Sequence, residues 1–259
     1  MARLSKLNRS IHGSIALITG AASGMGEATA YLFADEGARL ALVDLNAEPL
    51  EGVAENIRSN GGEAETATFD ISDQAAIGDA VRRFARHFGG IDILVNNAGI
   101  SIPAPIDSKD YEDAWQRSFD VLISAQQRFV RAALPYLRAS DSARIVNIAS
   151  TEGLGATKYG SPYTAAKHAV IGLTRSLAVE LGPEGITVNC ICPGPIHTGM
   201  TQAIPMDAKQ EFARRRVALR RYADPEEVAH GTLNFVLPAS SFMTGVALPV
   251  DGGLTIRNA

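Results

Sequence analysis

Short apolar runs alternate with helix-period segments along nearly the whole chain. The first run, SIALIT (14–19), ends in a glycine-rich turn. Residues 24–37 then carry Ala28, Tyr31, Leu32 and Ala34 at helical spacing until Gly37 stops them. ARLALV (38–43) is the next run, after which Asn46 suits the N-cap of a helix closing at Asn60-Gly61-Gly62. Further strand-length runs fall near 64–69, 91–95, 143–149, 186–191 and 246–250. Strands that are apolar throughout need cover on both faces, and the intervening helices provide it. The pattern therefore predicts one α/β domain, a doubly wound parallel sheet of about seven strands. It spans residues 13–259, behind an N-terminal tail at 1–12.

Composition supports a single core: 259 residues, 46% of them apolar and 20% charged. A net charge of -4 weighs against a nucleic-acid partner, which wants a basic surface. No segment approaches the ~20 apolar residues that span a bilayer. The basic opening MARLSKLNRSIH has no signal-length apolar run behind it, so a cytoplasmic protein without a membrane association is expected. Cys190 and Cys192 lie inside an apolar run and read as small buried side chains; no metal site is expected.

The turn TGAASGMG (19–26) falls where the first strand meets the first helix. Gly20, Gly24 and Gly26 let the backbone turn sharply and come close to a pyrophosphate, and the helix N-terminus offers it free N–H groups. Asp44 closes the second strand, 24 residues after Gly20, where a carboxylate can accept hydrogen bonds from ribose hydroxyls and repel a 2′-phosphate. No Arg or Lys stands among Ala21, Ala22 and Ser23, or at Leu45, to receive such a phosphate, so NAD is the expected cofactor. Asp70-Ile71 and NNAG (96–99) end the third and fourth strands and fit the same crevice; Asp70 also suits a helix cap.

In YTAAK (163–167), the i, i+4 spacing sets Tyr163 and Lys167 on one helical face. Ser150 ends the fifth strand, 13 residues earlier. A free phenol has a pKa of ~10, and a neighbouring ammonium and a positively charged nicotinamide would both favour its ionised form. Tyr163 is thus a candidate acid and base for an alcohol/ketone pair, Ser150 a candidate holder of the substrate oxygen, and Lys167 a candidate ribose ligand. Taken singly, each has a plainer reading: a turn serine, a half-buried aromatic, a solvated lysine.

With these residues in order, and with VNCICPGPIHT (188–198) and VDGG (250–253) after them, the chain resembles the short-chain dehydrogenase/reductase family over nearly its full length. The resemblance implies a Rossmann-like domain, usually a homotetramer or homodimer, that moves a hydride between a nicotinamide dinucleotide and a small alcohol or ketone. It implies catalytic roles for Ser150, Tyr163 and Lys167. It also implies cofactor contacts at Gly20, Ser23, Gly24, Met25, Gly26, Asp44, Leu45, Asp70, Ile71, Asn97, Ala98, Gly99, Tyr163, Lys167, Ile196 and Thr198. An enoyl reductase, or a nucleotide-binding scaffold with impaired catalysis, is the alternative.

One position departs from the pattern. Many members carry an asparagine seven residues after the tryptophan matched by Trp115, and Leu122 stands there. That asparagine is expected to stabilise a kinked helix whose carbonyl holds a relay water. Residues 199–222 correspond to the family's variable substrate lid and carry Arg214, Arg215, Arg216, Arg220 and Arg221. Solvation is the first expectation for these arginines; subunit contact and an acidic substrate are the others. Arg221 also resembles a structural arginine ahead of Pro225-Glu226-Glu227. Glu152, Lys158, Tyr159 and His197 are candidate substrate neighbours.

Overall fold

The computed structural model describes residue 4 and residues 6–258. Its seven strands are β1 (Ile15–Thr19), β2 (Arg39–Asp44), β3 (Glu63–Thr68), β4 (Ile93–Asn96), β5 (Arg144–Ile148), β6 (Thr187–Pro193) and β7 (Ala247–Val250). They form one sheet in the order β3-β2-β1-β4-β5-β6-β7, with every neighbouring pair parallel. The order reverses between β1 and β4, and that leaves a crevice at the carboxyl edge where a ligand can enter.

The helices are α1 (Gly24–Asp35), α2 (Ala47–Ser59), α3 (Gln74–Phe88), α4 (Tyr111–Phe119), α5 (Ala125–Leu137), α6 (Ser161–Leu181), α7 (Met206–Arg216) and α8 (Pro225–Val236). Although the central strands are apolar throughout, alternate residues still serve opposite faces. Ile15 and Leu17 pack with α3, α5 and α6, whereas Ala16 and Ile18 pack with α1, α2 and α8. The edge strand β3 reads EAETAT and is largely unburied, as its place at the rim allows.

Local chemistry differs from expectation in two places. Asn46 does precede α2, yet its side chain makes no capping bond; its Nδ2 donates to Asp44 Oδ1 at 3.1 Å. Asp73, by contrast, caps α3 by accepting from the Ala75 and Ala76 amides. Of the opening stretch, residues 1–3 and 5 lie outside the described residues, and Ile11 is 1% exposed within the α1/α2/α8 core. A buried polar chain crosses the sheet beneath the crevice. Asn96 Nδ2 donates to Asn147 Oδ1 at 2.9 Å, and Asn147 Nδ2 donates to Thr174 Oγ1 at 3.0 Å, which joins β4, β5 and α6.

Among the described residues, no helix is long and apolar enough to cross a membrane. Cys190 and Cys192 are free thiols with no exposed surface.

Candidate active site

The β1–α1 turn comes closer to itself than any side chain would permit. A Cβ on Gly26 would stand 2.0 Å from the Gly20 carbonyl oxygen, so this crossing requires glycine. No side chain caps α1, and its first-turn N–H groups are left to face the crevice as a positive, hydrogen-bonding end. Asn97 ties the end of β4 to the same turn: its Nδ2 donates to Thr19 O at 2.9 Å and to Gly20 O at 3.1 Å. Its Oδ1 is buried without a partner. Asp44 braces the turn from β2 by accepting from Ala22 N at 3.0 Å and from Asn46 N at 2.9 Å.

The crevice runs from Asp44, Leu45, Asp70 and Ile71 at one end to Ser150, Tyr163 and Lys167 at the other. Ser23, Gly24, Met25, Ala98, Gly99, Ile196 and Thr198 also line it, and Gly26 alone of the candidates lies behind the wall. Its shape, its amide-rich turn and its terminal carboxylates fit a dinucleotide. The pattern did not single out Arg117, on α4. It pairs with Asp70 at 2.8 Å and also donates to Ser72 Oγ at 3.1 Å. Burial raises the Asp70 pKa, but the Ser72 and Arg117 hydrogen bonds outweigh it and hold the carboxyl below its usual range. Asp70 also accepts from Ser72 N at 2.9 Å and lines the crevice, while the helix cap it was expected to offer is made by Asp73 instead.

At the far end, β5 delivers Ser150 just beyond its last residue, and the first two turns of α6 deliver Tyr163 and Lys167. The Ser150 hydroxyl accepts from Glu152 N at 3.1 Å, and it stands near enough to the Tyr163 phenol to favour its ionised form. Lys167 Nζ donates to Ile148 O at 2.7 Å and sits 5.5 Å from the centre of the Tyr163 ring. Burial pushes the Tyr163 pKa above its ordinary value; the Ser150 hydroxyl opposes this and the Glu152 charge adds to it. Burial also pushes the Lys167 pKa down to about 8.

Leu122 is fully buried, within a wide π turn at Asp120–Ser124 that separates α4 from α5. The widened turn is thus made without asparagine, through the five-residue hydrogen bond from Ala125 N to Asp120 O. The other candidate substrate neighbours lie off the crevice. Glu152 accepts hydrogen bonds from Thr157 and Thr164, Lys158 covers the Tyr159 ring, and His197 packs on Tyr222 at 5.2 Å. Arg214 and Arg215 pair with Glu211, and Arg221 is bidentate to Glu227 at 2.7 Å on both arms, a structural brace before α8.

Comparison with known proteins agrees with this geometry. A family model described as enoyl-(acyl carrier protein) reductase matches residues 20–255. The 3-oxoacyl-[acyl-carrier-protein] reductase of Thermotoga maritima is 36% identical over 250 residues, covering 95% of this chain and 99% of that one. Carveol dehydrogenase from Mycobacterium avium, solved in complex with NAD, superposes with a TM-score of 0.91 at 28% identity, covering 96% of this chain and all of that one. A short chain dehydrogenase from Burkholderia cenocepacia, solved in complex with NADP, gives 0.88 at 35% identity, covering 95% and 99%. The chain belongs to the short-chain dehydrogenase/reductase family, whose members are oxidoreductases acting on CH–OH groups with a nicotinamide dinucleotide. It is an enzyme of that class.

Proposed function

We propose that this enzyme interconverts a secondary alcohol and a ketone, using NAD(H) and the Ser150–Tyr163–Lys167 group. The observation that carries the reading is the convergence of Ser150, Tyr163 and Lys167 at the inner end of a dinucleotide-shaped crevice. A nicotinamide dinucleotide held there by the β1–α1 turn, Asp44, Asp70 and Asn97 supplies the hydride exchange. Ser150 holds the substrate oxygen through its hydroxyl. In reduction, Tyr163 donates its phenolic proton to that oxygen. Its raised pKa keeps the proton in place at neutral pH until it is needed. In oxidation the same oxygen takes the proton back. Lys167, fixed on Ile148 O, holds positive charge beside the phenol ring and opposes the cost of a phenolate.

NAD is favoured over NADP by the Asp44 carboxylate, which faces the crevice where a 2′-phosphate would have to lie. Residues 199–222 serve as the substrate lid in this reading. Carbonyl rather than enoyl chemistry is favoured because a serine and a tyrosine hydroxyl together can grip a single oxygen.

The test is a panel of cyclic, aliphatic, sugar and acyl-thioester alcohols with their ketones, followed at the nicotinamide absorbance with both cofactors. Turnover of at least one alcohol by wild type, and not by Tyr163→Phe, is expected. Activity on enoyl thioesters alone would overturn the assignment.

A further inference from the structure

After β7 the chain makes a tight turn around Asp251. Its carboxylate accepts from Gly253 N at 2.8 Å, Thr255 N at 2.8 Å and Thr255 Oγ1 at 2.7 Å. The turn sends Arg257 back toward the C-terminal end of α7. There Arg257 Nη1 donates to Arg214 O at 3.0 Å and to Val217 O at 2.8 Å. Helix C-terminal carbonyls lack intrahelical partners and carry the negative end of the helix dipole, so a guanidinium is well suited to hold them.

The neighbouring backbone is tied to the same turn. Leu219 N donates to Gly252 O at 3.0 Å, and a Cβ on Gly253 would stand 2.7 Å from the Ala218 Cβ. The other end of α7 is held differently. No side-chain bond caps it at Pro205, and Met200, Ile204 and Met206 are 51%, 40% and 58% exposed. One end of the segment is clamped to a distant turn by charge-assisted bonds and close packing; the other is held by local bonds, Thr201 Oγ1 donating to Ile196 O at 2.7 Å and to Thr198 O at 3.1 Å.

We propose that Arg257 is a positioning residue for the lid, pinning its trailing end so that the segment swings from the Gly199–Pro205 end over the crevice. This rests on the reading of 199–222 as the lid. A swinging element needs one fixed end, or closure would carry no defined direction. Arg257 touches no part of the crevice, and it acts through α7.

The test is hydrogen–deuterium exchange on the full chain, as wild type, Arg257→Ala and Arg257→Lys, each with and without NADH. In the alanine variant, exchange across 213–219 is expected to rise about tenfold or more, the scale set by loss of a charge-assisted hydrogen bond, while the β4 and β5 amides hold. NADH should protect 199–212 in wild type and protect it less in the alanine variant, with lysine restoring part of both effects. Unchanged exchange at 213–219, an equal rise throughout the sheet, or undiminished NADH protection of 199–212 would each overturn the proposal. None of these readouts needs turnover, so the alcohol chemistry stands or falls separately on the substrate panel.

Discussion

Lys167 bonds the main-chain oxygen of Ile148 at 2.7 Å, and this contact ties the helix carrying Tyr163 to the strand end carrying Ser150. The two hydroxyls are therefore set relative to each other by a buried cation as well as by the packing of α6. Holding a cation there has a thermodynamic signature.

Lys167 titrates near about 8 in the folded protein, against 10.5 for the free side chain. Below pH 8 it is protonated in both states, and the folded state bears the whole desolvation penalty. Between 8 and 10.5 the unfolded chain binds more protons than the folded one, so stability contributed at this site rises with pH. Compared with Lys167→Met, wild type is expected to gain on the order of 3 kcal/mol across that window. Urea melts of both proteins at a series of pH values check it; a flat difference is the contrary result.

Tyr163→Phe is expected to lower turnover by roughly 10²–10⁴-fold while NADH binds almost as in wild type, since one acidic oxygen is removed and little packing changes. Single-turnover kinetics with calorimetric NADH titration separate the two effects. Near-normal hydride transfer in the variant would mean that another group carries the proton.

Asp44 both faces the crevice and accepts the Ala22 and Asn46 amides. Asp44→Asn removes the charge and keeps one oxygen, which can serve the Ala22 amide or the Asn46 amide but not both. Its preference for NADH over NADPH is expected to shrink by about tenfold or more, corresponding to about 1.4 kcal/mol. Titrations of both cofactors into both proteins measure it. Equal wild-type affinities for the two cofactors would remove the basis of the NAD assignment.

Leu122 sits inside a π turn that a backbone bond already closes. Leu122→Asn is therefore expected to change turnover little. The variant is expected to lose about 1–3 kcal/mol of stability, because it buries an amide with no partner prepared for it. Denaturant melts, turnover rates and solvent isotope effects decide this. A large gain in rate together with loss of a large wild-type isotope effect would show that leucine had broken a proton relay.

The central strands were legible because parallel strands covered on both sides have to be apolar on both faces, and their carboxyl ends gathered the candidate residues. Tyr163 and Lys167 were legible through helical spacing. Arg117 was not, because its partner Asp70 is 47 residues away and nothing local marks the pair. The π turn was hidden too: DVLIS has no Gly or Pro to announce a widened helix. The burial of Tyr163 was hidden for a related reason. Spacing shows that a lysine is near, whereas the burial that raises the phenol's pKa is a property of the assembled fold.

The polar chain from Asn96 through Asn147 to Thr174 runs under the site through two strands and a helix. A sliding or rotating α6 would strand the buried Asn147 amide, so loosening this helix costs a hydrogen bond even while the sheet stays intact. The Ser150 and Tyr163 hydroxyls are therefore expected to keep their relation until the core itself opens. The enzyme's heat inactivation and its melting, followed side by side, are expected to coincide as a single cooperative event.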